Sequence, residues 1–138
     1  MKKLTLLFIL FSSILLHAQQ ETFVYRATEF AANIKEENRW HGWEDWEDVN
    51  LKIIFTSKQL SIYSKETQNI DVLKFEETYI DDEGNTNIPF LGIDHKGVKC
   101  SVRFLFPKNN NLKSMIYIIY SDYAIVYSIQ SENKYGNP

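Results

Sequence analysis

The sequence predicts an all-β domain: a single antiparallel meander that closes into a small up-and-down barrel, with a two-sheet sandwich as the alternative. From residue 49 onward, apolar and polar side chains alternate with the period of two that is typical of strands. Polar turn clusters separate the apolar runs at short intervals, so consecutive strands are expected to pair antiparallel. Closure into a barrel would remove the two edges that an open meander exposes.

The first strand is predicted over residues 22–32, and it would supply the strand that closes the barrel. Its apolar residues alternate from Phe23 through Ala27 as in a strand. Residues 27–37 also fit the spacing of an amphipathic helix, so the segment is ambiguous. We interpret it as a strand with a β-bulge near Phe30.

The remaining strands follow from the same alternation and from the turn residues between them. A slip of the apolar phase near Val72 or Leu73 predicts a β-bulge at that point. Pro89 predicts an edge position, a strand start or a bulged site, because proline donates no hydrogen bond to a sheet. The predicted strands cover residues 49–55, 60–64, 70–79, 88–94, 98–106, 112–120 and 123–129.

Residues 1–18 predict a secretory signal peptide. Lys2 and Lys3 precede a short apolar run over residues 4–16, and Ala18 offers a small residue for cleavage. The sequence therefore predicts an exported protein, either periplasmic or secreted.

Residues 19–138 are predicted to form a single domain of ordinary size. The formal net charge of the whole chain is −3, and it becomes −5 once the two lysines of the signal are removed. An acidic domain without a basic cluster is not expected to bind nucleic acid or an anionic membrane surface. No later apolar run is long enough to cross a bilayer, so no membrane span is predicted after removal of the signal.

The most distinctive segment contains all three tryptophans of the chain, Trp40, Trp43 and Trp46. Such rings can stack on sugar rings or enclose a cation, and the competing, favoured interpretation is that they plug one end of the barrel. Their spacing of three residues predicts a turn of helix, because in a regular strand the rings would alternate faces. We take the three tryptophans as the candidate ligand-binding residues. We expect Trp46 to be buried and Trp40 to be the most exposed.

Other chemistry-bearing residues are interpreted as structural. The acidic turn over residues 81–85 lacks the spacing of a calcium loop, and His41 and His95 are too isolated for a zinc site. Cys100 lies in the apolar phase of a strand and is predicted to be a buried small hydrophobe. The sequence thus predicts no catalytic residue, no metal and no cofactor. The acids beside the tryptophans are interpreted as a solvated face, with a metal site or an acid/base pair as alternatives: Glu44, Asp45, Glu47 and Asp48.

The last predicted strand pair, over residues 115–127, is apolar on both faces. A strand that is solvated on one side should alternate, so the second face is expected to be covered. The cover is either another segment of the same chain, such as residues 21–38 or the tryptophan segment, or a partner: a second copy in a homodimer or another molecule.

The sequence contains three motifs: Trp43-x-x-Trp46-Glu47-x-Val49-Asn50, Leu60-x-Ile62-Tyr63-Ser64 and Cys100-x-Val102-Arg103. Together they resemble a family of small exported bacterial all-β proteins of uncharacterised function. The resemblance implies an exported all-β domain and assigns no activity or functional residues. The meander is also similar in architecture to lipocalin-like barrels, which implies a small apolar ligand, although Gly42 directly precedes Trp43 where those barrels carry Gly-x-Trp.

On these grounds the sequence predicts an exported binding or interaction module without enzymatic activity. Its partner would be a small molecule, a glycan or a protein. The alternatives are a small hydrolase that acts on envelope or extracellular glycans and a structural component of the envelope.

Overall fold

The computed structural model describes residues 21–132, so the predicted signal peptide lies outside the described residues. Within this part the chain forms ten strands and no helix. The strands are β1 (Phe23–Glu36), β2 (Arg39–Trp43), β3 (Glu47–Phe55), β4 (Gln59–Tyr63), β5 (Gln68–Phe75), β6 (Tyr79–Ile80), β7 (Thr86–Asp94), β8 (Lys99–Phe106), β9 (Ser114–Ile119) and β10 (Tyr123–Ser131).

Eight of these strands form a closed antiparallel barrel. Hydrogen-bonded neighbours follow the order β10-β9-β8-β7-β5-β4-β3-β1, and β1 pairs with β10 to close the ring. Strand β2 pairs with the far end of β1, and β6 pairs with β7, so both lie outside the ring. The predicted meander that closes into a barrel is confirmed, and the sandwich is not adopted. Across residues 21–132 we find no helix with the length and apolar character needed to cross a membrane.

Strand β1 resolves the ambiguous first segment as a strand, and it closes the barrel as predicted. It extends beyond the predicted end to Glu36, and its bulge, predicted near Phe30, lies between Ala27 and Glu29. One edge of β1 pairs with β10, and the other pairs first with β3 and then with β2. These ladders satisfy its backbone groups along most of its length, which outweighs any local preference for a helix.

The predicted bulge of β5 is present, whereas Pro89 lies at none of its three predicted positions. The register of β5 against β7 shifts between Val72 and Lys74, so the predicted bulge is confirmed. Pro89 lies inside β7 and pairs with Arg103 of β8 on one side. On the other side the partner of β7 changes at this point from β5 to β6, where the backbone N–H of Glu76 donates to the Pro89 carbonyl. A proline is tolerated there because no ladder bond requires its missing N–H.

Side chains fill the middle of the barrel. The ring centroids of Phe104 and Phe55 are 4.7 Å apart, and those of Phe55 and Phe90 are 5.7 Å apart. Cys100 is only 6% exposed and belongs to this core, which confirms the predicted phase of β8. Phe106, at the end of the same strand, is partly buried against the core.

Candidate functional site

The tryptophan segment forms a strand, not the helical turn that its spacing predicts. β1 reverses direction at Glu37 and Asn38, whose φ angles of 51° and 63° are those of a tight hairpin turn. β2 then returns along β1 and carries Trp40 and Trp43. The prediction of a helical turn is therefore wrong for these two residues.

A one-residue bulge explains how a spacing of three fits a strand. Trp40 pairs with Lys35, and Trp43 pairs with Asn33, so three steps on β2 match two steps on β1. Lys35 and Asn33 share one face of β1, and the two tryptophans therefore share that face as well. Gly42 permits the bulge because its φ is 98°, a value that residues with a Cβ rarely adopt, and its N–H donates to Asn33 Oδ1 at 3.0 Å.

All three indoles are substantially exposed: Trp40 at 39%, Trp43 at 46% and Trp46 at 45%. The plug interpretation is therefore wrong, and so is the expectation that Trp46 is buried and Trp40 the most exposed. The reason is topological. β2 lies outside the closed ring, and Trp46 lies in the connection from β2 to β3, so neither element directs a side chain into the barrel.

Trp40, Trp43 and Tyr117 form what we call the aromatic surface. The rings of Trp43 and Tyr117 meet edge to face, with centroids 5.8 Å apart. The Lys35 ammonium lies 5.6 Å from the Trp40 ring, and the Arg103 guanidinium lies 4.4 Å from the Tyr117 ring. Two aromatic rings of this surface thus each lie against a positively charged side chain of the same protein.

The aromatic surface lies on the outside of the barrel. Ile116 and Ile118 belong to the core, so Tyr117 between them points outward. Tyr117 pairs with Val126 of β10, and Val126 pairs with Ala31 of β1, so all three lie on the outer face. Val126 and Ala31 are nevertheless buried. Their burial explains why the last strand pair is apolar on both faces, and Trp43 contributes to the cover by packing against Tyr117. Trp43 of the tryptophan segment therefore covers part of this face, and the homodimer stays a prediction.

The acids beside the tryptophans are exposed, as a solvated face requires. His41 Nε2 lies 3.6 Å from a carboxylate oxygen of Glu36 at the hairpin. Across residues 21–132 no group of three or more His, Cys, Asp or Glu side chains could hold a metal ion. In the turn after β6, the Asp81 carboxylate accepts bonds from the backbone N–H groups of Glu83 and Asn85 and from the Asn87 amide.

A cavity of about 460 Å³ opens at one end of the barrel, and we call it the mouth cavity. Ile70, Ile118 and Ile125 of three different strands form its apolar base. The connection between β4 and β5, the turn between β7 and β8 and the turn between β9 and β10 form its walls. Cavities of this size at the mouth of a barrel are a common position for small-molecule sites.

Asp94 and Tyr120 are the most constrained polar pair in the mouth cavity. Asp94 Oδ1 accepts the backbone N–H groups of Lys96 and Val98 at 2.9 Å each, and Tyr120 donates its hydroxyl to Asp94 Oδ2 at 3.0 Å. The N–H of Val98, followed by the Tyr120 hydroxyl and the N–H of Lys96, lowers the pKa of Asp94. Burial, together with the bond donated to Asp94, raises the pKa of Tyr120, so the phenol keeps its proton.

The sequence predicts the turns that line the mouth cavity, but it does not predict that they lie together at one end of the barrel. The predicted strands over residues 88–94, 98–106, 112–120 and 123–129 imply turns at residues 95–97 and 121–122. Asp94 and Tyr120 are far apart in the chain, and only closure of the barrel brings them into contact. The one local signal was a pair of tyrosines, Tyr120 and Tyr123, that flank a tight turn.

Replacing Asp94 by Asn is expected to lower the melting temperature most at neutral pH. Because the pKa of Asp94 is lowered in the folded state, its stabilising contribution is present above the pKa of the unfolded chain and is lost as the pH falls through the folded-state pKa. The difference in melting temperature between the two proteins should therefore shrink as the pH falls below about 4. Thermal unfolding between pH 3 and pH 7, followed by circular dichroism, measures this. A difference that stays constant with pH would contradict the role assigned to the carboxylate.

The comparisons with known proteins found no matching family model, no similar curated protein and no similar solved structure.

Proposed function

We propose that this chain is an exported, non-enzymatic binding module that recognises a glycan through the aromatic surface. The observation that carries the proposal is the exposure of Trp40 and Trp43 on one outward face, where Trp43 adjoins Tyr117. Large aromatic rings are normally packed inside a domain of this size, and a group of them on the surface is typical of an interaction site.

The surface suits a ligand with apolar faces and polar edges. The exposed indoles offer flat apolar area, and Lys35 and Arg103 place hydrogen-bond donors beside the rings. A sugar ring combines an apolar C–H face with hydroxyl groups at its edge, so it can stack and hydrogen-bond at once. The exposed acids that follow Trp43 add acceptors for hydroxyl groups.

A glycan fits this surface better than a cation. Lys35 and Arg103 already occupy ring faces of Trp40 and Tyr117, and their positive charges would repel a further cation nearby. A hydrolase that uses an acid of the tryptophan segment would need a carboxylate held in a cleft across from a second one. The acids of this segment are exposed on the outside of the barrel, which favours binding over catalysis.

Export from a bacterial cell is part of this proposal. It is supported by Lys2, Lys3 and the apolar run over residues 4–16, and by the resemblance to small exported bacterial proteins. Mass spectrometry of native material should find a mature N-terminus near Gln19. Intact Met1 in soluble cytoplasmic protein would contradict export without affecting the assignment of the aromatic surface.

Replacing Trp40 or Trp43 by Ala is expected to weaken glycan binding by about tenfold each, since a stacked ring contributes an interaction of this order. The full chain would be tested against chito-oligosaccharides, cello-oligosaccharides and peptidoglycan fragments by titration calorimetry. Tyr63→Ala is the matched control, because Tyr63 is similarly exposed at 45% but lies on β4, away from the aromatic surface.

The proposal requires at least one of these glycans to bind and the control to keep its affinity. The absence of binding to all three classes, or an equal loss with Tyr63→Ala, would overturn it. Circular dichroism of each variant would show that the fold is retained.

A further inference from the structure

We propose that the mouth cavity is a second binding site, which takes a small organic cation: a primary amine that carries an apolar body. This site is separate from the aromatic surface, although the two adjoin where the backbone N–H of Lys35 donates to the Asp122 carbonyl at 2.8 Å, and it does not rest on the proposed glycan. The cavity has a volume of about 460 Å³, an apolar base and polar walls. These three properties limit the size, the apolar body and the charge of a ligand that can bind.

The base of the mouth cavity restricts the ligand's body. Ile70 and Ile118 are almost fully buried and belong to the core, while Ile125 packs against it. A purely ionic ligand would leave the partly buried Ile125 and the exposed Val98 of the lining in contact with water, whereas an alkyl or aryl body would cover them. The volume suits a single small molecule and is too small for a folded partner.

The charges of the walls restrict the sign of the ligand. Three carboxylates line the cavity, those of Glu66, Asp94 and Asp122, and the basic groups of the lining are the Lys96 ammonium and the His95 imidazole. Lys96 is exposed at the tip of its turn, whereas Asp94 is partly buried and held by three hydrogen bonds. The excess of negative charge favours a cation and disfavours a fatty acid or another carboxylate.

The hydrogen bonds within the cavity wall further require a ligand that donates hydrogen bonds. Tyr120 commits its only hydrogen to Asp94, so its oxygen can only accept a bond from a ligand. The lone pairs of the Asp94 carboxylate are likewise acceptors. An ammonium group, with three N–H donors and no acceptor, matches such a wall.

Aromatic rings complete the cation site. The rings of Tyr120 and Tyr123 stack nearly parallel, with centroids 4.7 Å apart and an interplanar angle of 16°. Both rings line the cavity, and a cation placed against an aromatic face gains a further electrostatic attraction. Apolar base, carboxylate excess and tyrosine pair therefore converge on the same ligand class.

Three probes of equal chain length separate the possible ligand classes: hexylamine, hexanol and hexanoate. Titration calorimetry of the full chain at pH 7 is expected to show that hexylamine binds and that hexanol and hexanoate bind at least about tenfold more weakly. The double variant Glu66→Gln/Asp122→Asn should weaken hexylamine binding by about tenfold, because both carboxylates are exposed wall groups that attract the ammonium.

The matched control is Glu76→Gln/Glu77→Gln, which removes the same charge from a surface away from the mouth cavity. This control should keep the affinity for hexylamine. Equal binding of hexanol, tighter binding of hexanoate, no binding of hexylamine, or no effect of Glu66→Gln/Asp122→Asn would each overturn the cation site. Trp43→Ala, which removes a ring that packs against Tyr117 on the outside of the barrel, should leave hexylamine binding unchanged, so that failure at this site and failure of the glycan proposal are distinguishable.

Discussion

Replacing Phe104 by Ala is expected to lower the free energy of unfolding by roughly 3–5 kcal/mol, as truncations of large buried aromatic residues do. Phe104 is 1% exposed, and its ring lies 4.7 Å from that of Phe55 and 5.9 Å from that of Tyr25, centroid to centroid. The loss combines the removal of a large apolar side chain from the core with the cavity that remains. It is a large fraction of the roughly 5–15 kcal/mol that keeps a domain of this kind folded.

Urea unfolding followed by far-ultraviolet circular dichroism measures this loss. Phe23→Ala is the matched control, because Phe23 has the same side chain at the start of β1 but is exposed. The control should cost less than about 1 kcal/mol. Equal losses in the two variants would show that the aromatic cluster does not carry the stability assigned to it.

Replacing Cys100 by Asp is expected to lower the free energy of unfolding by on the order of 4 kcal/mol or more. The variant will not fold at neutral pH if the unmodified protein is less stable than this. Cys100 is buried in the core, where a carboxylate would have to give up its hydration. The negative charge of Asp94 lies near enough to oppose a second one, since it adds to burial in raising the pKa of the Cys100 thiol. Cys100→Ala removes the sulfur without adding a charge and is the control.

Acidification separates this mechanism from simple loss of packing. Burial raises the pKa of a carboxyl group, so the destabilisation is present above the folded-state pKa and is relieved as the pH falls toward the unfolded-state value. As the pH falls from 7 to 4, the free energy of unfolding of Cys100→Asp should therefore rise relative to that of Cys100→Ala. A constant difference would rule out a buried charge as the cause.

The unmodified thiol offers an independent check at the same position. Folded protein should react slowly with a thiol reagent, because the sulfur is buried and its pKa is raised. Unfolded protein in urea should react rapidly. Equal rates would overturn the placement of Cys100 inside the barrel.

The alternation of side chains along each strand was readable from the sequence because it is a local property. Neighbouring positions in a strand face opposite sides, so the apolar phase of β8 placed Cys100 and Phe104 in the core. The bulge in β5 was readable for the same reason, since it shifts the apolar phase at Val72 and Leu73. The short turns between strands likewise indicated an antiparallel meander.

The positions of the tryptophans could not be predicted from such local patterns. Their spacing of three residues indicates a helical turn unless an extra residue is inserted in the strand, and Gly42 supplies that residue. Even with the bulge known, the sequence does not say whether their shared face points into the barrel. That depends on β2 pairing with the end of β1 outside the ring, which is a contact of tertiary structure.

The sequence by itself determined the all-β class, the meander and the strand phase, because these depend on the periodicity and turn chemistry of neighbouring residues. The tertiary structure alone decided that Trp40 and Trp43 lie together on the outside. It also decided that Asp94 and Tyr120 meet above an isoleucine base. Both arrangements join residues of different strands, and their distances depend on the register of pairing and on closure of β1 against β10. No pattern within one segment encodes that closure, since it results from burying the apolar faces of all eight strands at once.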